Sequence, residues 1–161
     1  MSTDRERFQA VYLECYPRVL AYAASRVGRA PAEDVTSETF TIAWRKLGDM
    51  PANALPWLLG IARNLVRQSH REVVWQELPE VAEPDSTGVV ELLDALNGLS
   101  ESDREVLTLV AWHGLSSAEA AQVLDCSTAT FFVRLHRARG RLKRAFSQSR
   151  PRVAAKEKTW T

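Results

Sequence analysis

Residues 99–146 read LSESDREVLTLVAWHGLSSAEAAQVLDCSTATFFVRLHRARGRLKRAF, and their pattern specifies the C-terminal half of the chain. Two capping-box patterns each open a helix, Ser100-Glu-Ser-Asp103 and Ser116-Ser-Ala-Glu119. Gly114 lies where the first of these helices needs a left-handed residue at its end. A longer helix follows, from about Thr128 to Phe146. Two helices joined by about three residues, the second of them basic, predict a helix-turn-helix.

The last helix of this stretch carries a row of positive charge. Four arginines recur at three- and four-residue spacing, away from the apolar face: Arg134, Arg137, Arg141 and Arg144. Such a row suits the phosphates and base edges of a DNA major groove. A solvated basic face is the plain structural alternative. The two caps, the turn and the arginine row together favour DNA binding.

The N-terminal half also has a helical pattern. Apolar residues at three- and four-residue spacing predict helices over about 8–27, 32–47 and 57–71. Gly28 and Pro31 separate the first two, and Pro17 predicts a break or a kink inside the first. No run of alternating polar and apolar residues predicts a substantial sheet, so the fold class that we expect is all-α.

Charge divides the chain into three blocks, with net charges of +2 over residues 1–75, −8 over 76–103 and +7 over 104–161. Residues 76–90 combine acids with Pro and Gly, which predicts a flexible acidic linker. The sequence therefore predicts two small helical domains, 1–75 and 91–149, joined by this linker and followed by a basic, disordered tail over 150–161. The positive C-terminal block indicates an anionic partner.

Composition excludes several classes of protein. The chain has 161 residues, of which 45% are hydrophobic and 25% charged, as in ordinary globular proteins. No apolar stretch approaches the ~18–20 residues of a membrane span, and the charged N-terminus lacks a signal-peptide pattern, so we expect no membrane insertion and a cytoplasmic location. Cys15 and Cys126 have no metal-site spacing, and no phosphate loop, HExxH motif or nucleophile elbow occurs. We therefore expect no enzyme, no catalytic residue, no cofactor and no metal.

The C-terminal stretch resembles region 4 of the extracytoplasmic-function (ECF) sigma factors of bacterial RNA polymerase. Its strongest matches are Arg104-Glu-Val106, Gly114-Leu-Ser116, Leu135 and Arg137-Ala-Arg139. The N-terminal half is similar to region 2 of the same family, at Ala32-Glu-Asp-Val35, Glu38-Thr-Phe40, Ala43-Trp-Arg45 and Trp57-Leu-Leu-Gly-Ile-Ala-Arg-Asn64. Two different motifs in this order, over residues 8–72 and 91–146, make the resemblance specific.

The resemblance implies a dissociable promoter-specificity subunit that acts at the bacterial nucleoid. Region 2 would bind the clamp coiled coil of the largest polymerase subunit and open the −10 element. Region 4 would bind the β flap and read the −35 element. The partners implied are core RNA polymerase and promoter DNA. An anti-sigma factor is a common further partner in the family, although the sequence itself does not show one.

The resemblance also implies which residues act in region 2. The expected polymerase contacts are Asp34, Ser37 and Glu38, and the two acids lie one turn apart on one helix face. The expected −10 contacts are Trp57, Arg63, Asn64, Arg67 and Arg71, since arginines suit phosphates and an amide suits a base edge. The apolar spacing of Trp57 favours a core role over stacking on a base. Trp44 is interpreted as a core residue.

The −35 contacts implied for region 4 include two departures from the family. The expected set is Ser116, Thr128, Thr130, Phe132, Val133, Arg134, Arg137 and Arg141. Phe132 and Val133 stand where the family has a Lys and a Ser that face DNA, so they either pack on thymine methyl groups or face a protein partner. In region 2, Ser37 stands where the family often has Gln. Two alternatives therefore stay open: a stand-alone helix-turn-helix regulator, and a degenerate sigma factor that acts as an interaction protein.

Overall fold

The computed structural model describes residues 3–69 and 86–149, which form seven α-helices and one 3-10 helix. In chain order they are α1 Asp4–Val27, α2 Arg29–Arg45, the 3-10 helix Leu47–Asp49, α3 Ala54–Gln68, α4 Ser86–Asn97, α5 Glu101–Ala111, α6 Ser117–Val123 and α7 Thr128–Ser149. No strand occurs within the described ranges. The all-α prediction is therefore confirmed.

By their internal contacts the residues fall into two compact units. One consists of Met1–Glu80 with Ala118–Ser127, and the other of Val81–Ser117 with Thr128–Thr161. All of α6 except its first residue thus belongs to the first unit. The domain limits drawn from the sequence, 1–75 and 91–149, stay a prediction. Residues 76–85 of the expected linker, the expected tail 150–161 and Arg71 lie outside the described residues.

In the first unit, α1, α2 and α3 all pack against one another. Thr3 and Glu6 form a full capping box at the start of α1, with bonds of 3.3 and 3.0 Å. Of the break or kink predicted at Pro17, the break is wrong, because α1 continues through this residue. Pro17 is exposed, and the buried side chains of Cys15 and Val19 hold the helix on either side of it.

Gly28 ends α1 and begins α2. Its φ of 81° and ψ of 169° lie in a region that is essentially open to glycine alone. Its N–H donates to the carbonyl oxygen of Ala24 at 2.9 Å. The chain therefore reverses direction here without an intervening loop, which lets α1 and α2 pack along their length.

The aromatic residues of α1 and α2 form a cluster at the edge of this unit. Phe40 is buried, and the ring of Tyr12 packs against it at 4.8 Å between centroids. Trp44 contacts Phe8 edge-on at 5.1 Å but is 48% exposed, so the interpretation of Trp44 as a core residue is wrong. Phe40 and Ala43 are the α2 residues that turn inward here, which leaves Trp44 at the rim.

In the second unit, α4 and α5 both pack against α7. The buried side chains of α7 are Phe131, Leu135 and Ala138, which follow the predicted apolar face. On α5, Val106 and Leu109 are buried. Ser100 caps α5 as predicted, since its hydroxyl accepts from the N–H of Asp103 at 3.2 Å.

The turn after α6 is a left-handed helix end. Asp125 has a φ of 53°, its N–H donates to Gln122 O at 3.2 Å, and the N–H of Cys126 donates to Ala121 O at 3.0 Å. This pair of bonds is the Schellman arrangement, which satisfies the last carbonyls of a helix. The short turn predicted between the last two helices is therefore confirmed, and α7 begins at Thr128. None of the described helices is both long and apolar enough to cross a membrane.

Candidate polymerase and promoter interfaces

The outward face of α2 carries the predicted polymerase contacts. Asp34, Ser37 and Glu38 are all exposed. The neighbouring Thr36 and Thr39 are buried. The hydroxyl of each donates to the backbone oxygen four residues earlier, that of Ala32 or Val35, at 2.7 Å. These bonds satisfy the buried hydroxyls, and the two carboxylates are left on a single outward surface.

A cavity of about 170 Å³ adjoins this acidic face. It lies between α2 and α3 and is lined by Val27, Pro31, Asp34, Val35, Glu38, Leu65 and Ser69. Its walls are mostly apolar, and its acids are the same two that the sequence predicts as polymerase contacts. A partner side chain with an apolar stem and a positive head matches this chemistry.

The outward face of α3 brings together three of the predicted −10 residues. Leu58, Leu59, Ala62 and Val66 turn inward and are buried. Asn64 follows Trp57 by two turns and Arg67 follows it by three more residues, so all three share one helical face. Asn64 and Arg67 are exposed, whereas Trp57 is half-buried, which combines packing with an accessible edge. Arg63 is half-buried on the flank of this face.

On α7 the predicted −35 residues lie outside the buried stripe. Phe132 is 56% exposed and Val133 is 49% exposed, which is unusual for large apolar side chains on a basic helix. The other residues of the predicted set on the first turns of α7 are all exposed: Thr128, Thr130, Arg134 and Arg137. Ser116, just before α6, is exposed as well.

Arg141, one of the predicted −35 contacts, forms an ion pair. One terminal guanidinium nitrogen lies 2.9 Å from Oδ1 and 3.0 Å from Oδ2 of Asp103, on α5. The Asp103 side chain is only 11% exposed, against 52% for Arg141. In this structure Arg141 therefore binds a carboxylate of its own unit.

His136 is a candidate that the sequence analysis missed. It is exposed on α7, four residues after Phe132 and three after Val133, and so lies beside both on the helix surface. Its position four residues after Phe132, about one helical turn, is the sequence signal that places it beside this exposed apolar residue.

Two further features of the described residues concern metal ligands and a free thiol. Among the described residues, no group of three or more His, Cys, Asp or Glu side chains is placed to hold a metal ion. Burial, with the nearby Glu14 carboxylate, raises the pKa of the Cys15 thiol, and Arg18 partly opposes this. A thiol of this kind is a packed side chain with low reactivity.

Comparison with known proteins identifies the family. The family model "Sigma-70 region 2" matches residues 11–76, and "Sigma-70, region 4" matches residues 90–142. The ECF RNA polymerase sigma factor EcfG of Rhodopseudomonas palustris is 32% identical over 145 residues, which cover 81% of this chain and 80% of that protein. The chain belongs to the ECF sigma factors. This is a family of transcription initiation factors, and its two matched regions contain the α2–α3 and α7 surfaces.

Other ECF sigma factors extend the comparison. BldN of Streptomyces coelicolor is 34% identical over 140 residues, but the chain spans only about half of its length, 53%. In a crystal structure from Bartonella quintana, the sigma factor RpoE is in complex with the anti-sigma factor NepR. RpoE superposes with a TM-score of 0.66 and 27% identity, covering 88% of this chain and 97% of that one.

Proposed function

We propose that this ECF sigma factor binds core RNA polymerase and directs transcription initiation in the bacterial cytoplasm. In this proposal α2 binds the polymerase clamp coiled coil, α3 opens the −10 element, and α7 reads the −35 element. The proposal is supported by exposed polar surfaces in both matched regions that suit a basic protein partner and DNA. An acidic face lies on α2, an Asn–Arg face on α3, and a basic helix on α7.

The polymerase contact rests on the acidic face and its cavity. Asp34 and Glu38 are exposed and adjoin apolar walls from Val35 and Leu65, so they offer both charge and contact area to a basic helix. Exposed charges of this kind act mainly on association and on orientation, and less on raw affinity. Ser37 lies between them on the same face.

The promoter contacts rest on α3 and α7. Asn64 and Arg67 are exposed and share a face with Trp57, which suits a separated strand whose bases stack and whose phosphates need cations. Arg134 and Arg137 are exposed on α7, within reach of phosphates or guanine edges. We place Arg63 on the flank of the −10 surface and Arg71, which lies outside the described residues, with the same set.

An anti-sigma factor is a further proposed partner. The supporting fact is that the RpoE protein that resembles this chain over 88% of its length was crystallised with one. A β-flap contact of the C-terminal region rests on family membership alone.

Charge reversal on α2 tests the polymerase contact. We expect Asp34→Lys with Glu38→Lys to abolish most of the co-elution with core polymerase in gel filtration, because both carboxylates are then replaced by cations that repel a basic partner. Run-off transcription on genomic fragments should fall in parallel, and the circular dichroism spectrum should not change.

The matched control is Glu14→Lys with Glu33→Lys, two exposed acids outside the proposed contact set. This control changes the net charge by the same amount and should co-elute as the natural chain does. Equal co-elution of both double variants would refute the α2 contact. A natural chain that never binds core polymerase would favour a stand-alone DNA-binding regulator.

A further inference from the structure

We propose that Asp103 and Arg141 form a pin that sets the rotation of α7 about its own axis, and so determines which of its residues face the −35 element. Arg141 is then a positioning residue and not a phosphate contact. This inference rests on the proposed function of α7 as the −35 reader. It concerns two residues of one compact unit, on α5 and α7.

The carboxylate of Asp103 pairs with α7 and does not cap its own helix. Asp103 is in the first turn of α5, and its N–H donates to the Ser100 hydroxyl at 3.2 Å. In a complete capping box the acid of the first turn would reach back to the N–H of the cap residue. Here both carboxylate oxygens instead lie within 3.0 Å of one nitrogen of Arg141.

Burial makes the pair unequal. Asp103 has an 11% exposed side chain, so its charge needs a fixed partner, whereas Arg141 is 52% exposed. A phosphate that took Arg141 away would leave a nearly buried carboxylate without its cation. In the natural chain Arg141 therefore stays paired with Asp103 when DNA binds. The arginines left to contact DNA are those nearer the start of α7, Arg134 and Arg137.

The ion pair adds a directional contact to the apolar packing of α7. Phe131, Leu135 and Ala138 form a buried apolar stripe, which opposes separation of α7 but depends little on its exact rotation. A charge-assisted hydrogen bond is short and depends on angle. The pin thus adds an angle-dependent contact to the apolar stripe, which selects the inward face of α7.

The proposed −35 residues would feel a rotation of α7 directly. Side chains extend to about 5–6 Å from a helix axis, so a rotation of about 20° moves them by about 2 Å. A base-edge hydrogen bond tolerates only ~0.5 Å in donor–acceptor distance. Arg137 lies one turn before Arg141, and Arg134 lies two turns before it, so both move with the pin.

The experiment compares Arg141→Gln, Asp103→Asn and the double variant, each as the full chain in holoenzyme. Two quantities are measured: base preference, by selection from promoters randomised at the −35 element, and the salt dependence of binding. The control is Lys143→Gln, which removes one positive charge from an exposed position two residues away. Circular dichroism checks folding, and the double variant guards against misfolding because it leaves no unpaired charge.

We expect both single variants to lose about five-fold or more in preference at the same −35 positions, since one base contact is worth ~1–3 kcal/mol. The double variant should lose no more than either single one, because all three remove the same pin. Arg141→Gln should keep the salt slope of the natural chain. Lys143→Gln should keep the natural base preference.

A different result would overturn the pin. If Arg141 binds phosphate, Arg141→Gln lowers the salt slope by about 0.9, and Asp103→Asn leaves base preference unchanged. A natural chain that selects no −35 sequence at all would refute the proposed function itself, and the inference with it. The two failures are distinguished by the behaviour of the natural chain.

Discussion

Phe132 and Val133 show how two side chains can decide what a basic helix recognises. Both are about half exposed on α7, next to Arg134 and His136. Neither can donate a hydrogen bond to a phosphate, but both can pack on the methyl group of thymine. We therefore expect a −35 element that is read with fewer polar contacts and more methyl contacts. The alternative is that this apolar pair contacts a protein partner. The experiment below distinguishes the two interpretations.

Restoring the family pattern with Phe132→Lys and Val133→Ser should change the −35 base preference. It should also steepen the salt dependence of binding by about 0.9, since one new phosphate contact releases about one counterion. Selection from randomised promoters and binding at several salt concentrations measure the two effects.

The matched control for this change is Gln148→Lys, which adds the same charge far along α7 at an exposed position. It should leave base preference unaltered. If the double variant keeps its base preference and salt slope but loses a co-purifying protein, the pair is a partner surface.

At the scale of helices, the packing of α1 against α2 depends on the backbone conformation at the junction between them. Gly28 joins α1 to α2 with a φ of 81°, and a Cβ built on it would meet nothing within 4 Å. The requirement for glycine is therefore conformational and does not come from steric crowding by neighbours. Such backbone positions cost non-glycine residues ~1–3 kcal/mol.

Gly28→Ala should accordingly lower the free energy of unfolding by ~1–3 kcal/mol, as measured by denaturant or thermal unfolding followed by circular dichroism. Gly48→Ala is the control, because Gly48 has the same open surroundings without a positive φ. It should be nearly neutral. If Gly28→Ala and Gly48→Ala lower the free energy of unfolding equally, glycine is not specifically required at the α1–α2 junction.

At the scale of the whole molecule, an acidic stretch separates two stretches of the chain that contain basic residues. Residues 72–103 contain no Lys or Arg, although basic residues are frequent on both sides. The composition of residues 76–90 predicts a tether between the two helical domains. Residues 86–90 of this expected linker lie in α4, so the linker is shorter than the composition predicts. Residues 70–85 lie outside the described part of the chain, and the tether over 76–85 remains a prediction from the sequence.

Limited proteolysis tests the tether with a suitable enzyme. Trypsin has no site between Arg71 and Arg104, whereas a protease that cleaves after glutamate has Glu77, Glu80 and Glu83. We expect brief digestion to cut first within this stretch and to release two fragments that keep helical circular dichroism. Mass spectrometry identifies the cut. Preferential cleavage at exposed glutamates of α1 or α2, such as Glu14 or Glu33, would contradict the prediction.

The sequence by itself determined where most helices lie and to which family the chain belongs. Caps, turns and apolar spacing are local signals, so the sequence alone correctly predicts the cap at Ser100 and the turn at Asp125. The helix expected to end at Gly114 ends earlier, at Ala111, although Gly114 does have the expected left-handed φ, 65°. The family motifs likewise lie in contiguous stretches. The break expected at Pro17 does not occur, because packing on both sides outweighs one missing hydrogen bond.

Only the tertiary structure decided which side of each helix is left for a partner. Trp44 has a core-like sequence position, yet it lies at the rim because Phe40 and Ala43 already fill the α1–α2 contact. Arg141 shares its spacing with Arg134 and Arg137, yet it pairs with Asp103, 38 residues earlier in the chain. Helical periodicity reports which residues share a face. Whether such a face meets solvent, DNA or another helix depends on contacts between residues far apart in sequence, which no local pattern encodes.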